Sequence, residues 1–253
     1  MNRSNRQHMQ SRLPRLSNVQ YAFRAFLLFS LGLLTQPSLL PAQQQISISE
    51  EIEWTWEVRP QLADTKLPNV LLLGDSITRS YFPQVTKDLS GIANVYLMAS
   101  STSVGDPRLP LQIAEFAALH RVFFAVVHFN NGLHGWGYTE KQFKSAFPIF
   151  LQAIRTLPGH ASLIWTTITS VKPDAPNGAT NPRIDARNAI ARAFVEPEKI
   201  HIDDLHALMS QHSDLYEDPF HFNKAGAEIM GDQAATIIRK VLEEPQRAQI
   251  RRH

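Results

Sequence analysis

The chain has 253 residues, 43% of them hydrophobic and 19% charged, and no cysteine. This fits one α/β domain with a sizeable core, and the missing thiols exclude disulfides, thiolate metal sites and a cysteine nucleophile. The net charge of +2 misleads, because Arg3, Arg6, Arg12, Arg15 and Arg24 precede any acid; the rest of the chain is net acidic and implies no nucleic-acid partner.

Behind those arginines, Ala25-Phe26-Leu27-Leu28-Phe29-Ser30-Leu31-Gly32-Leu33-Leu34 reads as the apolar region of a signal peptide. It is too short for a stable membrane span, which takes about 20 apolar residues. Leu40-Pro41-Ala42 ends in the small residue that a signal peptidase requires, so residues 1–42 are expected to be a leader cleaved after Ala42. Export to the periplasm or the outside follows; an uncleaved anchor is the other reading, and initiation at Met9 would shorten the long basic start. Residues 43–68 form a poorly patterned arm, with Trp54 and Trp56 on one face if it is extended. Their expected role is to pack the arm onto the domain, with substrate stacking as the alternative.

From 69 to 245, short apolar runs alternate with helical spacing. Val70–Leu73, Asn94–Met98, Val122–Phe129, Leu163–Ile168 and Lys199–Ile202 are predicted strands. Leu109–Leu119, Thr139–Leu157, Ile184–Phe194 and Lys224–Leu242 are predicted helices, the second opened by a Thr139/Gln142 capping box and kinked or split at Pro148. Such alternation implies a single three-layer α/β/α domain on a mainly parallel, five-stranded sheet. Asp174–Gly178 is a loop, and 246–253, with Arg247, Arg251 and Arg252, is a solvated basic tail.

Functional groups of open α/β sheets collect at the carboxyl ends of strands. The first predicted strand ends in Gly74-Asp75-Ser76-Ile77-Thr78, which places a serine just past a tight turn. Just before the last helix, Asp218-Pro219-Phe220-His221 offers a carboxylate and an imidazole. A serine hydroxyl needs an imidazole to take its proton, and the imidazole needs a partner that fixes its tautomer.

Together with Ser103-Val104-Gly105-Asp106 after the second strand and Asn130-Asn131-Gly132 after the third, these blocks resemble the SGNH (GDSL-like) hydrolase superfamily in order and spacing, over residues 69–242. The stretch Asn130–Trp136 is similar to an exported bacterial subgroup. The resemblance implies a flavodoxin-like SGNH fold with Ser76 as nucleophile, His221 as general base and Asp218 as its partner. It also implies an oxyanion hole made by the N–H of Ser76, the N–H of Gly105 and the side-chain amide of Asn131. The third block departs from the family's Gly-x-Asn-Asp, so Asn130 stays an alternative to Asn131. Asp75 is expected to order the nucleophile turn, and His134 to line the pocket or be an ordinary loop histidine. Arg79 either reaches the crevice or solvates its helix, and Asp203 or Asp204 is a candidate brace for the His221 loop. No metal-binding or phosphate-binding motif is present, so no cofactor is implied.

The resulting expectation is an exported serine esterase acting on short O-acyl groups, on small molecules or polysaccharides. Acyl transfer to a sugar hydroxyl and a disabled carbohydrate-binding protein are the alternatives, and the oligomeric state is open.

Overall fold

The near-continuous apolar runs become strands buried on both faces, except the last, a half-buried edge strand. In the computed structural model, which describes residues 46–244, they are β2 (Asn69–Gly74), β3 (Asn94–Ser100), β4 (Val126–Phe129), β5 (Ser162–Thr166) and β6 (His201–Asp203). The leader, its cleavage point after Ala42 and the basic tail lie outside the described residues. All five are parallel to their neighbours within that set. A sixth strand, β1 (Thr55–Val58), comes from the N-terminal arm and pairs antiparallel with β3, Trp56 opposite Ala99. The arm lacks an apolar run because it is an edge strand, exposed along most of its length. The sheet order is β1-β3-β2-β4-β5-β6.

Side-chain alternation along the strands divides the core in two. Val70, Leu72, Val126 and Ile164 face α1 (Ser76–Asp88), α5 (Leu205–Met209) and α6 (Lys224–Glu243). Leu71, Leu73, Val127, Phe129 and Trp165 face α2 (Arg108–His120), α3 (Glu140–Arg155) and α4 (Asn181–Val195). The four predicted helices are present. Helix α1 was not among them, although Ile77, Tyr81 and Val85 recur every fourth residue and form its buried side. At five residues α5 is too short to show a period.

The capping box of α3 is formed, Thr139 accepting from Gln142 N while the Gln142 side chain accepts from Thr139 N. Pro148 does not split the helix. Both Pro148 and Lys144, whose carbonyl loses its partner, lie on the exposed side, where water can satisfy that carbonyl. The strand predicted from Val122 begins only at Val126, since Phe123 is exposed and Phe124 N–H bonds Pro158 O at 3.0 Å.

The order reverses at β2: the chain leaves it towards β3 and then crosses to β4 on its other side. The crevice at its carboxyl end is where open sheets bind ligands, and Ser76 stands there, first residue of α1. Because β1 covers the β3 edge, a chain starting at residue 59 is expected to melt roughly 5 °C or more below one starting at 43. Thermal unfolding by circular dichroism checks this; equal midpoints would show that β1 adds nothing.

Candidate active site

The turn that carries Ser76 is tight because Gly74 leaves no room for a side chain. A Cβ there would run onto the Thr78 hydroxyl and sit 2.9 Å from Asn130 O. Asp75 is buried and extended, with both carboxylate oxygens engaged. Oδ1 accepts from Ile77 N at 3.0 Å and caps α1. Oδ2 accepts from Gly132 N and Leu133 N at 3.1 and 3.2 Å, tying the turn to the loop after β4.

Ser76 Oγ lies 2.7 Å from His221 Nε2, and His221 Nδ1 lies 2.7 Å from Asp218 Oδ2. A carboxylate only accepts, so Nδ1 carries the ring proton and Nε2 is left to accept from the serine hydroxyl. Asp218 Oδ1 accepts from the N–H groups of Phe220 and His221, both at 2.7 Å. Partial burial alone would raise the Asp218 carboxyl, but these amides and the imidazole outweigh it and hold it below the usual carboxylate range. The carboxylate therefore keeps its charge into more acid solution than an ordinary aspartate.

The loop carrying Asp218 and His221 closes on itself. Tyr216 and Phe222 form an isolated bridge and stack at 4.3 Å, and Glu217 N–H bonds His221 O at 2.9 Å. It is braced from the segment after β5, through Lys172 N–H to Pro219 O at 2.9 Å and a 2.8 Å contact between Ser170 Oγ and Tyr216 Oη. Neither acidic candidate does this. Asp203 faces the interior, and Asp204 caps α5 and accepts from Thr167 Oγ1.

The expected oxyanion groups divide. Ser76 N–H opens α1 and has no acceptor within the helix. Gly105 lies in the buried loop after β3, where a Cβ would come 2.5 Å from the Tyr138 ring. Asn131 is buried, and its side-chain amide donates to Ser100 O at 3.2 Å and Thr102 O at 2.8 Å. It is a strut holding the β3 loop to the β4 loop. Asn130 is half-buried, makes no side-chain hydrogen bond among the described residues and lines a small cavity with Asp75, Thr78 and Thr166.

His134 bonds through Nδ1 to Glu50 Oε2 at 2.8 Å, and Glu50 Oε1 accepts from Gly135 N at 2.9 Å. The histidine thus clips the N-terminal arm to the loop after β4. Other arm contacts fall on the same two loops: Ser47 Oγ donates to Asp106 at 2.7 Å, Ile48 N–H to Tyr138 Oη at 2.6 Å and Trp54 N–H to Ser101 Oγ at 2.8 Å. Arg187, 1% exposed, donates to the carbonyls of His134, Gly135 and Tyr138 at 3.0–3.1 Å beneath the Trp136 ring. Burial, with Arg183 nearby, lowers its pKa to about 10. With the Trp136 and Trp165 rings buried, neither presents a face to a sugar.

Sequence reasoning missed Glu50, Tyr138 and Arg187. It also missed a fully buried His128–Asp203 pair, 2.8 Å apart, with Gln233 donating to Asp203 at 2.6 Å. Histidine within an apolar strand was the available signal for that pair. The others meet only through the fold.

No family sequence model matches the chain, and no curated protein is significantly similar to it in sequence. Solved structures are similar. A member of the lipolytic G-D-S-L family from Veillonella parvula superposes with a TM-score of 0.56 at 17% identity, over 67% of this chain and 97% of that one. A carbohydrate esterase family 3 protein from Talaromyces cellulolyticus gives 0.56 at 16%, over 71% and 100%. The fold is that of the SGNH hydrolases. The C-terminal catalytic domain of the Streptococcus pneumoniae peptidoglycan O-acetyltransferase A matches the same SGNH fold at 0.53 and 17% identity, over 71% and 97%. Among the described residues, no helix is long and apolar enough to cross a membrane.

Within this SGNH fold the Glu50–His134 clip is titratable. Burial lowers the His134 pKa, but the Glu50 hydrogen bond and the charges of Asp75, Glu50 and Glu53 more than offset this and raise it above 6.5. A raised histidine stabilises the fold fully below its unfolded pKa and loses that contribution as pH climbs through the folded value. Nuclear magnetic resonance titration is expected to place the His134 midpoint above 6.5, and lower in Glu50→Gln; an unchanged midpoint would refute the pairing. Arg187→Met is expected to cost about 3 kcal/mol in denaturant unfolding, because three loop carbonyls lose their donor.

Proposed function

We propose that the protein is a serine esterase, and the observation that carries this reading is the unbroken chain from Ser76 Oγ through His221 to Asp218, with both links at 2.7 Å. Ser76 Oγ attacks the ester carbonyl while His221 Nε2 takes its proton. The C–O bond to the alcohol then breaks, and His221 returns the proton to the departing oxygen. Water, deprotonated by the same imidazole, releases the acid from the acyl-serine. Asp218 holds the ring tautomer and offsets the positive charge of the imidazolium.

The tetrahedral intermediate places its negative charge at the positive end of α1, where Ser76 N–H has no acceptor within the helix. Gly105 N–H is the second proposed donor. We assign the third to Asn130 rather than Asn131, because Asn130 adjoins the nucleophile turn and its amide is uncommitted. Short acyl groups, on small molecules or carbohydrates, are the proposed substrates. The apolar run behind arginines supports export, with the ester met in the periplasm or outside the cell. The connected triad argues against a disabled binding protein.

Release of p-nitrophenol from short acyl esters tests the reading. Wild type is expected to be active, with kcat/KM falling roughly 10⁴-fold in Ser76→Ala and His221→Ala. Asn130→Ala is expected to lower kcat by roughly 10²-fold or more at unchanged stability. Asn131→Ala should instead cost about 2 kcal/mol of stability. A folded wild type inactive on every acyl length would defeat the proposal.

A further inference from the structure

One turn past the nucleophile, a cation is held by two indoles. Arg79 follows Ser76 by three residues, so the two side chains leave neighbouring positions on α1, with Cβ atoms about 5–6 Å apart. The Arg79 guanidinium carbon lies 5.0 Å from the centre of the Trp54 ring and 5.2 Å from that of Trp56. Both indoles belong to the arm: Trp56 lies in β1 and Trp54 directly precedes it, bonded to Ser101 through its N–H and its carbonyl, and both rings meet the same guanidinium. Trp54 meets the His134 ring edge-on at 5.8 Å, while Trp56 remains 51% exposed.

Among the described residues no carboxylate pairs with Arg79. Three acids of the same arm are engaged elsewhere, Glu50 with His134, Glu53 with Arg108 and Glu57 with His120, and Glu51 is exposed. A guanidinium stacked by its faces keeps its N–H edges for a planar acceptor, and the stacking restrains a side chain that would otherwise lose much rotamer freedom on binding. An exposed, restrained and unpaired arginine beside the nucleophile suits two-point recognition of a carboxylate.

We propose that Arg79, seated on Trp54 and Trp56, is a subsite for a carboxylate carried by the ester substrate close to its scissile bond. This deepens the esterase reading and rests on it. The carboxylate belongs either to the acyl part, as in a half-ester of a dicarboxylic acid, or to the alcohol part, as in an acylated uronic acid.

Two substrate pairs separate these sources. Ethyl hydrogen adipate is compared with ethyl hexanoate, and an acetylated methyl glucuronoside with the matching acetylated methyl glucoside, by acid release. In wild type the charged member of one pair is expected to be preferred, and the pair that responds names the source. In Arg79→Gln its KM should rise about 10-fold, the neutral member should be unchanged, and Arg79→Lys should recover part of the loss. No preference for charge in either pair, or equal effects of Arg79→Gln on charged and neutral members, would overturn the subsite.

If none of the four esters is hydrolysed, the subsite is judged by binding, and the esterase reading stands or falls on the p-nitrophenyl esters. Adipate or methyl glucuronoside should then shift the Trp54 and Trp56 indole N–H resonances in wild type but not in Arg79→Gln, with methyl glucoside inert. Absence of such shifts would overturn it as well.

Discussion

A buried carboxylate joins the parts of this site that the chain keeps far apart. Asp75 Oδ1 caps α1 and sets the direction in which Ser76 leaves the sheet; its Oδ2 gathers the amides of Gly132 and Leu133. Hydrogen bonds to an ionised acceptor are worth about 1.5–3 kcal/mol each, so turn and loop are held as one unit. From the loop after β4 the connection passes through Asn131 to the loop after β3, and through His134 to the N-terminal arm. A serine held this way need not be reoriented during the proposed reaction, which is the condition for preorganised catalysis.

The arm is part of that scaffold. Its strand β1 closes the sheet edge, while Ser47, Ile48, Glu50 and Trp54 bind the loops that flank the crevice. Arg187 holds one of those loops from below through backbone carbonyls, so the shape of residues 132–138 depends on a buried cation more than on their own side chains.

Much of this was legible in the sequence wherever periodicity or chain proximity encodes it. The five parallel strands announced themselves as apolar runs, and Asp218 and His221, three residues apart, meet within one tight loop. Asp75 followed from its place beside the nucleophile. What stayed hidden depends on tertiary contact. β1 has an exposed edge strand's mixed pattern, and Glu50 finds His134 across 84 residues. Nothing local marks which of two adjacent asparagines turns its amide into the protein. The block resemblance points to Asn131 as the donor, and only the fold shows its amide bonded to Ser100 O and Thr102 O, the basis for proposing Asn130 instead. Pro148 does not split α3, and the carbonyl it frees belongs to Lys144 on the exposed side of the helix.

The central claim is that Ser76 is an activated nucleophile. Its most direct measurement is labelling with a fluorophosphonate, followed by mass mapping of the modified peptide, because the reaction requires activation of the serine but no knowledge of the substrate. The account predicts one label per chain, on Ser76, lost in His221→Ala although that variant keeps the hydroxyl. A folded wild type that takes up no label, or takes it on another serine, would contradict it.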